Sequence, residues 1–590
     1  MPALTHRLLR AFCLAVFASC GSLPLLAHDA PADAVWDALI LADDNGRPSI
    51  RDQDFYPDRV VPESAEEAYR RAVAAVSPEA ICRFPARYRH LAKQGALPAA
   101  PDFHRCAALQ DFLAEVDTGR VAFVRASASV ASPMSYFGHT ALKFPREEIH
   151  FARTVSFLAV MEEHGAAPGR VMVRGAIGAI TGQYVVAPWH HALESYVERQ
   201  QRGLAVHELA LDDEGRERML FHLYELYEHT LDYNFFADNC ATRLFALLQV
   251  AEPTLRNTAA HTPFVSPDSM EKSLEEAGLI IESRYTHPRA HDLFRVYWEA
   301  SPAERRALRA YLGAGEAERD AFDETDAGVF ARAMTIPIYR MAFRAYNDPP
   351  ADYAQTLARR PEPLPAPETA IAEPAARPPS FHLGYRSAPS RTVTVRLAPG
   401  LYDRREATGP AMVEQTFRYL DASGSVADAT PRLDDLRLLE VESFTRRSPV
   451  AVPASWRLTM GASREFDPPA GSLRADLRGG YGGAWGTPRL VGYALGQVAA
   501  FAGKGIYPGV FAGAAWRGEA VRVELEAKHY LPIQGERPAS RRTVGLYVEP
   551  WQRVAIRASY DQARDVVALS LILRPNMGHI WTPPRMQVVR

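Results

Sequence analysis

At 590 residues the chain is several times the length of a ~150-residue domain, so more than one folding unit is expected and a single small module is excluded. Its 67 basic and 70 acidic residues leave a formal charge of -3, which gives no electrostatic case for nucleic acid as a partner. Hydrophobic residues at 47% and charged residues at 23% exclude disorder throughout, and the 45 prolines should gather in linkers or turns.

Residues 1–27 read as a secretory signal: Arg7 and Arg10, an apolar run from Ala11 to Leu26, and a small residue, Ala27, at the expected cleavage point. Phe17-Ala18-Ser19-Cys20 offers a second reading, lipidation of Cys20, weakened by the bulky Phe17. No later stretch is apolar for the ~18 residues a membrane helix requires, so membrane attachment would come from lipid or from strands.

Residues 28–118 carry helical patterning, with Ser64 and Glu67 spaced as a capping box. Strand signals begin at Val121–Arg125 and Ala141–Phe144, and another is expected at Arg170–Gly175. A helix from Asp212 to His229 follows, then further helices from Pro267 to about Ala345, so that 119–345 reads as an α+β unit with a helical extension. Residues 346–380 form a linker; the stretch from Arg360 to Ser380 alone holds seven prolines. From 381 to 590 alternation with period two takes over. It is clearest in Val521–Lys528, where Val521, Val523, Leu525 and Ala527 share one face and Arg522, Glu524, Glu526 and Lys528 the other. The fold class is therefore multidomain: a helical unit, an α+β unit, and an antiparallel barrel or sandwich. Export and the apolar strand faces favour an outer-membrane barrel; a soluble sandwich is the alternative. In a barrel, arginine at Val523 should cost about 2–4 kcal/mol near the midplane, and Glu524→Ala little.

Once the signal is set aside, Cys82, Cys106 and Cys240 remain. Cys82 and Cys106, 24 residues apart in one helical region, are the expected disulfide in an oxidising compartment. Cys240 is left over. In Asp238-Asn239-Cys240, ahead of an apolar-periodic run, Asn239 is placed at a helix N-cap and Cys240 in the first turn, where unpaired N–H groups favour a thiolate. Such a nucleophile needs a base, and His139 in Ser135-Tyr136-Phe137-Gly138-His139-Thr140 is the candidate. His222, Glu225 and His229 could present a metal face but have no third ligand of comparable spacing, so no metal and no cofactor are expected. Gly175-Ala-Ile-Gly178-Ala-Ile-Thr-Gly182 lacks a dinucleotide fingerprint and reads as a close backbone approach or a mobile loop.

Ser135-Tyr-Phe-Gly-His139-Thr, the Gln201-Arg202-Gly-Leu204 to Leu211 stretch and Tyr233-Asn234-Phe-Phe-x-x-Asn239-Cys240 resemble the Lnb N-terminal periplasmic domain family over roughly residues 120–260. The resemblance implies a circularly permuted papain-like thiol fold with Cys240 as nucleophile and His139 as base. It also implies a lipoprotein N-acyltransferase-like reaction through a Cys240 thioester, with phospholipid or lipoprotein as substrate. Ser156 is a candidate orienter of the histidine, and Asn239 a candidate oxyanion donor. Family transferases continue into membrane helices, whereas this chain continues into strands. A cell-envelope thiol amidase or peptidase, or a non-catalytic outer-membrane binding protein, are the alternatives. The expected location is the periplasmic side of the outer membrane of a Gram-negative bacterium, with the oligomeric state open.

Overall fold

The computed structural model describes most of residues 33–574 together with 587 and 588, the longest exceptions being 161–169, 258–264, 314–324 and 347–379. The expected signal, Cys20 and nearly all of the proline-rich linker lie outside the described residues.

Helices come first: α1 (Ala34–Leu39), α2 (Ala65–Ala74), α3 (Pro78–Arg83), α4 (Pro85–Lys93) and α5 (Ala107–Val116). The first three start on Asp33, Ser64 and Ser77, whose side-chain oxygens accept from N–H groups left over at the helix start. The return bond of the expected capping box falls one residue early, with Glu67 accepting from the Glu63 N–H at 2.7 Å. Cys82 and Cys106 form the expected disulfide.

A mixed sheet follows, made by β1 (Ala122–Ala126), β2 (His139–Phe144), β3 (Arg153–Val160), β4 (Ile180–Pro188), β5 (Leu204–Leu209), β6 (Thr230–Tyr233) and β7 (Ile280–Thr286) in the order β7-β5-β1-β2-β3-β4-β6. Its helices are α6 (Trp189–Ala192), α7 (Asp213–Leu226), α8 (Cys240–Ala251) and α9 (Pro267–Glu276), followed by α10 (Arg289–Glu299), α11 (Pro302–Gly313) and α12 (Asp326–Tyr346). Strand alternation gives β2 two faces. Leu142 and Phe144 enter the main core with Val155, Phe157 and the leucines of α7 and α8, while Ala141 packs on the other face with Val124, Trp189 and Val197.

Two local expectations change. The helix begun at Asp212 stops at Leu226, because Thr230 already belongs to β6. Of the strand expected at Arg170–Gly175, the described residues 170, 174 and 175 are helical. The glycines there serve close packing: a Cβ on Gly175 would lie 2.3 Å from the Phe235 ring and one on Gly182 2.5 Å from Phe157.

The last part is a closed barrel of twelve antiparallel strands. They are β8 (Ser380–Arg386), β9 (Thr392–Ala398), β10 (Val413–Ala427), β11 (Thr430–Thr445), β12 (Ser455–Ser463), β13 (Arg474–Gly486), β14 (Leu490–Phe501), β15 (Gly505–Arg517), β16 (Val521–Tyr530), β17 (Arg541–Trp551), β18 (Val554–Asp561) and β19 (Val566–Leu573). A short strand β20 (Gln587–Val588) returns to pair with β7. The expected faces of Val521–Lys528 are those found: Val523 and Leu525 are exposed outside, and Arg522 and Glu524 are buried inside. Leu383, Leu477, Val498, Val510, Leu546, Leu569 and others extend the exposed apolar surface around the wall. Water would not tolerate such a band, whereas hydrocarbon requires it.

The lumen is crossed by an inward segment, beside which a charge-lined cavity of about 280 Å³ remains. Between β9 and β10 the chain turns inward, and Asp403–Glu406 lie among the strand-face charges. Arg404 donates to Glu442 at 2.9 Å and Glu524 at 3.0 Å and also meets Glu526. Glu414 accepts from Arg522 at 2.8 Å and from Arg446 and Arg517 at 3.2 Å each. Buried charges are tolerated because each lies beside opposite ones.

Candidate functional site

Cys240 opens α8 because Asn239 starts the helix. The Asn239 Oδ1 accepts from the N–H groups of Ala241 at 2.8 Å and Thr242 at 2.9 Å, and its Nδ2 donates to the carbonyls of Phe235 at 3.2 Å and Val265 at 3.0 Å. With both amide hydrogens spent on backbone, Asn239 caps and fastens the turn rather than reaching a reacting oxygen.

The thiol is unpaired and only 6% exposed, at the end of β2. Burial pushes it above the ordinary thiol range, and the Thr140 N–H and hydroxyl and the Ala241 N–H, which face the sulfur, work against that rise. The Thr140 hydroxyl is close without a well-aligned hydrogen bond, so it remains able to donate. His139 immediately precedes Thr140. Its ring stacks on Tyr196 with centroids 5.6 Å apart, and burial, with Arg202 as a second cause, pulls it down to about 3. Tyr196 and Arg202 also act electrostatically on Cys240. Thiol and imidazole thus share three neighbours, Thr140, Tyr196 and Arg202, and both rest neutral. Nε2 of His139 is buried without a hydrogen-bond partner among the described residues. Ser156 is half-buried in β3 opposite Val185, on the face away from Val155 and Phe157, and it is not bonded to that nitrogen.

Arg202 is the organising residue that spacing does not reveal. It donates to the carbonyls of Ser127 at 2.6 Å and Ala126 at 3.2 Å, reaches Ser135 Oγ at 3.4 Å, and lies over Tyr196 at 5.1 Å. The signal available in the sequence is the Gln201-Arg202-Gly203 turn, where Gln201 takes a φ of 52°. On the same sheet a buried cluster joins Ser283 to His207 at 2.7 Å and His207 to Glu271 at 3.0 Å, with Arg125 bridging Glu271 and Asp268. Burial lifts Asp268 to about 6, whereas against burial Arg125 and His207 hold Glu271 down at about 2. These groups clamp α9 onto β1 and β5. The helix face of His222, Glu225 and His229 is likewise spent on packing. Glu225 accepts from Arg87 of α4 at 3.0 Å and His229 meets Asp52 at 2.7 Å, which docks the N-terminal helices onto α7.

The sheet unit meets the barrel beside the thiol. Tyr136, Ala128 and Val130 cover Phe417 and Val441 on the outer wall, leaving these 2% and 0% exposed, with Tyr419, Leu439 and Trp456 around them. Trp456, Trp485, Trp516 and Trp551 all stand at strand ends on this side of the barrel, as the interfacial aromatic belt of a membrane barrel does.

Two family models match parts of the chain. The model of the Lnb N-terminal periplasmic domain matches residues 108–273, and that of a domain of unknown function (DUF7840) matches 411–568. No curated protein matches. Among solved structures, "NanC porin structure in rhombohedral crystal form" aligns at 11% identity over 33% of this chain and 98% of that one, with a TM-score of 0.22. The protein belongs to the cell envelope, its barrel in the outer membrane and its thiol-bearing unit facing the periplasm. Residues 108–273, which hold both Cys240 and His139, are a member of the Lnb N-terminal periplasmic domain family.

Proposed function

We propose that the protein is an outer-membrane-anchored thiol acyltransferase acting on lipid or lipoprotein. The observation that carries this reading is the unpaired thiol at the start of α8, with the Thr140 donors on its sulfur and the neutral His139 next to Thr140 in the chain and sharing Tyr196 and Arg202 with the thiol. A neutral imidazole is a competent base. As the Cys240 sulfur attacks an ester carbonyl, His139 takes the thiol proton and returns it to the departing alcohol, leaving an acyl-thioester. An amine then attacks the thioester, its proton passes by way of His139 to the sulfur, and an amide is released with the thiol restored. The tryptophan belt supports the choice of substrate. Trp456 belongs to it and packs against the cluster that holds Tyr136, which supports a substrate drawn from the headgroup level of the periplasmic leaflet.

Intact-mass analysis of a lipoprotein co-expressed with the full chain tests the proposal. One acyl chain should be gained on the acceptor amine, and Cys240→Ser should abolish the gain. Release of free fatty acid without transfer would make the protein a thiol hydrolase. Full complementation of a deletion strain by Cys240→Ala would make it a binding protein.

A further inference from the structure

The barrel reaches into the thiol site. β10 pairs with β9 only over Ala422–Val426, so the first half of this long strand has no β9 neighbour. Tyr402 fills part of that seam. Its carbonyl accepts from the Phe417 N–H at 2.8 Å, and its own N–H donates back to Phe417 at 3.4 Å. The next residues, Asp403–Glu406, are pinned in the lumen by the ion pairs of Arg404. Tyr402 is thus anchored on one side by the plug. On the other side its ring, 5% exposed, packs against Tyr136 and Phe417, and its hydroxyl donates to the Tyr136 carbonyl at 3.3 Å.

That carbonyl belongs to the turn that delivers the histidine. Gly138 N–H donates to the Ser135 carbonyl at 3.0 Å, and Gly138 sits at a φ of 90°, where a Cβ would press within 3.0 Å of the Ala126 carbonyl. His139 follows directly. Arg202 grips the turn from within the periplasmic unit through Ser135, and Tyr402 grips it from the barrel. Phe417, Val441 and Leu439 of the barrel meet this cluster by ring or aliphatic packing, which permits sliding; the Tyr402 hydroxyl bond fixes the height of the turn.

We propose that Tyr402 is a positioning residue for His139: the plug held in the lumen sets, through the Tyr402 hydroxyl, where the base stands relative to the thiol. This rests on the thiol reading above.

The test uses the full-length protein in detergent micelles and iodoacetamide as the probe, with Cys240 alkylation followed by peptide mass spectrometry from pH 5 to 10. Tyr402→Phe deletes only the hydroxyl. It should displace the pH–rate profile and slow labelling at neutral pH by about five- to tenfold, the worth of one neutral hydrogen bond, while heat-modifiable migration of the barrel stays as in the wild type. Arg404→Met, which frees the plug, should shift the profile in the same way. Phe417→Leu loosens the rings but keeps the hydroxyl bond and should leave the profile in place. A wild-type profile in Tyr402→Phe beside an altered one in His139→Ala overturns the positioning role and leaves the thiol reading standing. An equal shift in Phe417→Leu also overturns it, because packing alone would then account for the effect. An unchanged profile in His139→Ala overturns the thiol reading and the positioning role with it.

Discussion

Replacing Asn239 by alanine removes three acceptor and two donor contacts at once. The cap alone is worth about 1 kcal/mol, and the carbonyls of Phe235 and Val265 lose their donor as well. Asn239→Ala should therefore lower the stability of the periplasmic unit by about 2 kcal/mol or more in chemical denaturation; Asn239→Asp, which keeps the cap, should cost less. The neutral thiol sets a second expectation. Because burial holds Cys240 above the ordinary range, its alkylation rate should climb about tenfold per pH unit between 6 and 9; a plateau near pH 7 would mean a preformed thiolate. His139 and His291 are both pulled down to about 3 by burial. A folded pKa below the unfolded value of about 6.5 contributes stability that is complete above it and lost as pH falls toward 3. The melting temperature of the periplasmic unit should accordingly fall through that window, and His291→Phe should flatten the dependence. Cys240, His139 and the cap were legible because each carries a local signal. Thr140 and Arg202 were not, since their meaning comes from β2 and the Gln201 turn arriving at one place in three dimensions.

Strand β16 shows what alternation can and cannot disclose. Its two faces are readable from period two alone, because a strand assigns sides before it finds partners. Depth and partnership are not. Val523 stands opposite Trp516 of the belt, so arginine there sits near the interface and should cost about 0–1 kcal/mol; the 2–4 kcal/mol expected of a midplane position belongs to Leu525→Arg. The small cost expected for Glu524→Ala is also revised, because Glu524 accepts from Arg404 and Arg522 at 3.0 and 2.9 Å inside the lumen. Losing it should destabilise by about 1–3 kcal/mol. Urea unfolding in lipid vesicles would rank the three, and equal costs for Val523→Arg and Leu525→Arg would contradict the assigned depths. The choice between barrel and sandwich was hidden for the same reason. It turns on whether the charged face meets water or another charged face, and no single strand states that.

For the molecule as a whole, the Asp403–Glu406 segment pinned across the lumen by ion pairs narrows the barrel, and an anchor rather than an open pore is the expectation to test. Purified protein in planar bilayers should show no steady conductance, and Arg404→Ala, which withdraws the plug's central charge, should introduce current fluctuations. The ion pairs within the lumen also govern how the chain is assembled. Arg404 reaches acids 38 to 122 residues further along the chain, so its charge is neutralised only when distant strands have already come together. Until then Arg522, Glu524, Glu526 and Lys528 of β16 stay hydrated, so only one face of the unclosed strand is apolar on its way across the aqueous compartment. Ring closure pairs those charges with one another at the moment the apolar wall meets lipid. Solubility in transit and permanence in the membrane thus come from one set of side chains, read before and after the ring is shut.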